Sequence, residues 1–284
     1  MKRPLVIALF TLLALSAMSQ DMVLVGPRVR ITLDTLFLPI TTDVDLLDLR
    51  GPVESVAIRT TYYVDNTTDV DSTFFRFDPQ GYYASRTLHA GTPKEFTVSY
   101  TNTYRRGRLQ QVQIVDGQGD CSLLTYRYDL SGNVIGNVVS CSDHKHIIST
   151  TIYDRFRNPI SKVAGTQADS YSYRYNPTHP GQAITSTCAS ALPTGDTLYF
   201  DTRYIYTTEG YIARTITAGP TERQIKTVDY IYDDHDRLIM RETFEGNERT
   251  VDTYTRDARG SLLTHTQRIN GELILRKEFN VTYK

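Results

Sequence analysis

The chain has 284 residues, with 20 Tyr, 38 Thr and no Trp. This composition favours strands and turns and argues against a helical bundle or a disordered tail. Lys and Arg number 31 against 32 Asp and Glu, a net charge of −1 with a pI near 6.6, which excludes the basic footprint of a nucleic-acid binder or of a protein held to anionic lipid.

Residues 1–19 read as a cleaved secretory signal peptide. Met1-Lys2-Arg3 is a basic start, and residues 5–15 (LVIALFTLLAL) are apolar but fall short of the ~20 needed to span a bilayer. The small-residue pattern Ala17-Met18-Ser19 then offers a cleavage site. The first Cys is Cys121, so no lipid attachment is expected at the new N-terminus, and no later stretch reaches 18 apolar residues. The expected location is periplasmic or secreted, with no membrane span. Residues 20–50 read as an N-terminal cap or linker, with a short helix or linker over 41–49. After the break at Gly51-Pro52, a first strand carrying Val53, Val56, Ile58, Tyr62 and Tyr63 opens a single β-repeat domain over 51–284.

The repeat unit is two alternating aromatics, a polar turn, a glycine and a short apolar run. Its clearest copy is Tyr126-Arg127-Tyr128-Asp129-Leu130-Ser131-Gly132-Asn133-Val134-Ile135; others start near Phe75, Tyr204, Tyr230 and Tyr254. Weaker copies lie around Gly107, from Ile152, and from Tyr173, where two residues are inserted. The glycine or its equivalent falls at Gly81, Gly107, Gly132, Arg157, Gly181, Gly210, Asp236 and Gly260, a period near 25. Y-x-Y puts both rings on one face of a strand, because side chains alternate with period 2. D-x-x-G supplies an aspartate that bonds its own backbone and a residue that tolerates positive φ. Each unit is therefore a β-hairpin that buries its apolar face only by stacking on its neighbours. The expected fold is all-β: an extended or spiralling antiparallel sheet of about eight hairpins. The insertion at Pro177–Pro180 and the segment 189–196 are expected in rim loops.

Cys121 and Cys141 flank the turn centred on Ser131 symmetrically. In a regular hairpin they stand opposite one another, which suggests a cross-strand disulfide. Cys188 reads as a small buried residue. His144 and His146 form an H-x-H suited to zinc only if a third ligand joins them, and an exposed connection between hairpins explains them better. No nucleophile elbow, zinc-protease motif, phosphate loop or dinucleotide fingerprint occurs. The turn carboxylates Asp78, Asp129, Asp154, Asp233 and Asp257 recur with the repeat and are explained by the turn. No catalytic residue, metal ligand or cofactor is expected, and the chain reads as a non-enzyme. The same-face pairs Tyr126/Tyr128, Tyr173/Tyr175, Tyr204/Tyr206 and Tyr230/Tyr232 are weak candidates for a ligand-stacking platform. Their periodic placement favours a structural ladder instead.

The Y-x-Y-D-x-x-G-x-[LIV] copies resemble the YD repeats of bacterial Rhs-type proteins over residues 70–265. In large members of that family such hairpins wind into a spiral that encloses a passenger polypeptide. This chain departs from the pattern in having eight degenerate units, no self-cleaving core motif and no toxin-like C-terminal extension. The resemblance implies a small exported repeat protein with an open sheet. The expected function is an envelope or secreted binding module for an unknown protein or glycan partner. The alternatives are assembly through exposed sheet edges or, less favoured, a glycan-active enzyme.

Overall fold

The turn aspartate organises the hairpins. The computed structural model describes residues 42–64, 67–117, 121–128, 130, 134–141, 144–156, 158–164, 167–191, 195–220 and 225–284. The expected signal peptide and the first part of the cap segment lie outside them. At Asp78, Asp154, Asp233 and Asp257, Oδ1 accepts from the backbone N–H groups two and four residues on, at 2.8–3.0 Å. Three residues on from Asp78, Asp233 and Asp257, φ is positive: +89° at Gly81, +60° at Asp236 and +88° at Gly260, and at the two glycines the absence of a Cβ removes the steric penalty.

These turns alternate with loops to give eighteen described strands. They are β1 (Val53–Val64), β2 (Thr67–Phe77), β3 (Tyr83–Leu88), β4 (Phe96–Arg105), β5 (Arg108–Val115) and β6 (Cys121–Tyr128). Next come β7 (Val134–Cys141), β8 (His144–Tyr153), β9 (Pro159–Ala164), β10 (Gln167–Tyr175), β11 (Ala183–Ala191) and β12 (Thr197–Tyr206). The last are β13 (Ile212–Ala218), β14 (Ile225–Tyr232), β15 (Leu238–Glu245), β16 (Glu248–Arg256), β17 (Leu262–Ile269) and β18 (Glu272–Tyr283). Every strand pairs antiparallel with its neighbours in the chain.

All eight repeat hairpins carry a β-bulge at the second motif position. Phe77 pairs with Tyr83 but Arg76 with Ser85; Tyr232 pairs with Leu238 but Ile231 with Met240. The other six hairpins shift in the same way. One extra residue on the returning strand bends the sheet and strengthens its twist. The bulge also corrects the expected cysteine pairing. Tyr128 faces Val134 as symmetry requires, but beyond the bulge Arg127 faces Gly136, so Cys141 stands opposite Ser122 rather than Cys121. Successive residues point to opposite faces, and the exposed Cys121 thiol is free. The side chain of Cys141 is outside the described ones.

An open sheet was expected, yet the ladder returns on itself. β18 pairs antiparallel with β1 from Val53↔Tyr283 to Tyr62↔Leu275, so each described strand has a partner on both sides. The seam copies the repeat. The register shifts between Val53 and Ser55, and Lys284 N donates to the Pro52 carbonyl at 2.9 Å, as Asp78 N does to Tyr82 and Asp257 N to Ser261. A ninth hairpin is thus assembled from the two ends of the described chain, with no covalent turn.

The segment before β1 closes over this seam. Helix α1 (Asp43–Leu46) starts in a capping box: Thr42 Oγ1 accepts from Asp45 N at 3.2 Å, and the Asp45 carboxylate accepts from Thr42 N at 3.3 Å. Val44 N then donates to the Gly81 carbonyl, and Leu262 N to that of Asp48, at 3.0 and 3.1 Å. The segment so bridges the first and last repeat turns. Val44, Leu49, Val53, Val56 and Ile58 bury against Phe75, Phe77, Leu238, Tyr254, Leu262 and Phe279, which places this apolar core at the closure.

Candidate functional site

The two faces of the sheet differ in chemistry, and the Y-x-Y tyrosines all lie on the less exposed one. Their second members are tied to the preceding hairpin. Tyr104 and Tyr175 donate to Oδ2 of Asp78 and Asp154, and Tyr128 to the Leu109 carbonyl. Tyr206 and Tyr232 donate to the carbonyls of Ala183 and Ile212 at 2.8 and 2.9 Å. Of the first members, Tyr204 Oη lies 3.0 Å from Ser186 Oγ, and Tyr173 stacks on Tyr175 with ring centroids 5.9 Å apart. Burial raises the hydroxyl pKa of Tyr126, Tyr173, Tyr175, Tyr204, Tyr206, Tyr230 and Tyr232, and pushes that of Tyr128 up to about 12. These tyrosines hold hairpin to hairpin. Replacing Tyr104 or Tyr175 with Phe should lower stability by about 1.5–3 kcal/mol, because each bond ends on a carboxylate, whereas Tyr206→Phe should cost only about 1 kcal/mol. Urea midpoints compared across the variants check this ordering.

Further along the same face lies a polar ladder that the sequence reading missed. Tyr230, Arg241, Asp252 and Gln267 occupy facing positions on β14 to β17, and beside them His265 of β17 faces Tyr254 of β16 and Lys277 of β18. Asp252 is fully buried. Its Oδ2 accepts from Arg241 Nε and Nη2 at 3.0 and 2.8 Å, and its Oδ1 from His265 Nε2 and Gln267 Nε2 at 2.8 and 3.1 Å. Burial alone would raise its pKa, but the His265 hydrogen bond and the Arg241 guanidinium outweigh it and hold the carboxyl below its ordinary value. Burial lowers the Lys277 amine, with Asp252 opposing. A carboxylate met by four donors has no lone pair poised for proton transfer, so these bonds crosslink three strands, β15 to β17. Period 2 alone does not reveal it, because the facing residues are brought together by register.

The H-x-H pair His144 and His146, read as an exposed connection rather than a zinc site, lies at the start of β8 with its side chains outside the described ones. Asp233, Asp234 and His235 cluster on one turn. There Asp233 accepts from the backbone of His235 and Arg237 and from Arg237 Nε at 2.7 Å, which is turn chemistry.

The other face carries the features that the repeat does not dictate. Tyr199, Ile205, Ile225, Ile231 and Phe244 are 57, 38, 51, 43 and 39% exposed on β12, β14 and β15, with Ile216 of β13 between them. At the turn end of β10 to β12 a half-open groove of about 950 Å³ is lined by Arg174, His179, Ile184, Thr185, Arg203 and Ile205, among others. The two-residue insertion forms its rim. Asn176 N reaches six residues on, to the Gln182 carbonyl at 2.8 Å, rather than the usual four. Gln182 is buried beside Gly210, where a Cβ would come within 3.1 Å of its Nε2. Arg174 faces Thr185, and Thr185 faces Arg203, so the two guanidinium side chains rise in one lateral row.

No family model and no curated protein matches this sequence. Among solved structures the chain is similar to one titled TcdB2-TccC3-Cdc42, at 15% identity and a TM-score of 0.36, covering 72% of this chain and 12% of that one. It is also similar to a porin-like protein from Bacteroides uniformis, at 12% identity and a TM-score of 0.42, and to one from Bacteroides vulgatus, at 11% and 0.35. Each of these two comparisons covers 82% of this chain and 98% of the other. Among the described residues no helix is long and apolar enough to cross a membrane.

Proposed function

We propose that the chain is a small exported YD-repeat protein, periplasmic or secreted, that acts as a non-enzymatic interaction module through its outer sheet face. The observation that carries this is the exposed apolar set Tyr199, Ile205, Ile225, Ile231 and Phe244. Exposed apolar groups gathered on adjacent strands are the mark of a contact surface, and the repeat motif requires none of them. The closed ladder weighs against assembly by edge pairing, since a strand with two partners offers no free N–H and C=O row. The saturated Asp252 likewise weighs against glycan hydrolysis on the tyrosine face, which needs two carboxylates in unlike environments.

The test is capture from envelope extract on the wild-type chain and on a variant carrying Ile225→Ser and Ile231→Ser. The reading requires a partner held by the wild type and lost by the variant. Equal capture by both would move the contact elsewhere, and no capture by either would refute the role.

A further inference from the structure

We propose that the groove between the fifth and sixth repeat turns binds a linear acidic polysaccharide whose carboxylates occur on alternate rings. The proposal deepens the interaction role above and rests on it. A strict repeat explains its own recurring residues by the fold, so a departure from it calls for another cause. The insertion Asn176-Pro177-Thr178-His179-Pro180-Gly181-Gln182 is such a departure, and it builds one wall of the groove. Two prolines restrict its backbone, and Asn176 Oδ1 pins it by accepting from Thr178 N at 3.0 Å.

The charge of the groove identifies its ligand. Arg174 and Arg203 both line it. One carboxylate, Glu209, also lines the groove and is bonded by Thr208 Oγ1, while Asp201 accepts from Thr187 Oγ1 at 2.5 Å. Two guanidiniums then face solvent across Thr185, and each is able to hold a carboxylate in a two-pronged bond. Their positions are two ladder steps apart, about 10 Å at the usual strand spacing. Carboxylates on one face of an extended acidic peptide recur every second residue, at about 6.6 Å, which is too close. Carboxylates on alternate rings of a linear glycan have a ring between them and suit the wider spacing. The intervening neutral ring would lie over Thr185, Ile184 and Ile205, where a hydroxyl and aliphatic carbons meet the mixed surface of a sugar.

Calorimetric titration with an oligosaccharide of alternating glucuronate and N-acetylglucosamine tests this, alongside its carboxyl-reduced form and poly-glutamate of equal charge. Wild type should bind the acidic glycan and neither control. Arg174→Gln and Arg203→Gln should each weaken binding at least tenfold, the loss of one charge-assisted pair. Arg127→Gln, an exposed arginine outside the groove, should leave binding unchanged. These positions are exposed, so unaltered circular dichroism is expected to accompany the loss. An equal loss in Arg127→Gln, or poly-glutamate binding as well as the glycan, would overturn the proposal. A wild type that ignores the glycan yet still captures its partner through Ile225 and Ile231 would overturn the groove assignment alone.

Discussion

Ending the chain at Gly271 is expected to abolish the cooperative fold and convert the protein into large aggregates, even though the cut removes only β18. An open spiral that loses its last strand merely becomes shorter. A closed ladder behaves differently. β18 pairs with β1 on one side and β17 on the other, so its loss exposes two long edges at once. It also removes Phe279, which is 8% exposed in the apolar core, and Tyr283, whose hydroxyl donates to Asp257 Oδ2 at 2.5 Å and lies 2.7 Å from Ser261 Oγ. Unpaired edges of that length template association between chains. A synthetic peptide of residues 272–284 should restore the wild-type size when added in trans, because the missing strand offers both main-chain bonds and the right side chains. Size-exclusion chromatography with light scattering reads the outcome. A truncated chain that keeps the wild-type size and melts at the wild-type temperature would show that the seam contributes nothing.

The sequence reveals the local units of this fold and conceals their long-range consequences. Asp78, Asp154, Asp233 and Asp257 announce their turns because the bonds they make run to residues two and four positions away. The tyrosine pairs declare a shared face for the same reason of short range. The bulge beside each pair escapes notice, since nothing in Y-x-Y-D-x-x-G marks the extra residue, and that one residue is enough to defeat the pairing expected of Cys121 and Cys141. Closure is hidden more deeply. Val53 and Tyr283 meet as the flanks of a hairpin whose turn is absent from the chain, so no turn signal exists to be read. The Asp252 ladder depends on register across five strands. The groove is legible in part: the insertion at Pro177–Pro180 stands out against the repeat, but the facing of Arg174 and Arg203 across Thr185 requires three strands in register.

Arg256→Met should cost about 3–5 kcal/mol at neutral pH, because it strands a buried charge. Arg256 and Asp48 form an ion pair with side chains 4 and 5% exposed, between the last repeat strand and the segment that caps the seam. The guanidinium also donates to the carbonyls of Gly260 and Leu238, each at 3.1 Å. Methionine fills the volume but leaves Asp48 with Arg50 alone, at 3.1 Å. Burial raises the Asp48 pKa above its ordinary value of 3.8, opposed by the hydrogen bond and charge of Arg256 and by Arg50. A raised folded value means that folding favours the protonated acid. That contribution is fully present below 3.8 and is lost as pH rises through the folded value. Without Arg256 the folded value climbs further, so Arg256→Met should regain stability relative to wild type as pH falls from neutral toward 3.8. Adding Asp48→Asn to Arg256→Met should recover a large part of the loss at neutral pH, since two neutral groups replace one stranded charge. Guanidinium denaturation of wild type, the two single variants and the double variant at neutral and at acid pH measures the cycle. Losses that add without coupling, or a pH-independent deficit in Arg256→Met, would show that the pair is not what joins the capping segment to the ring.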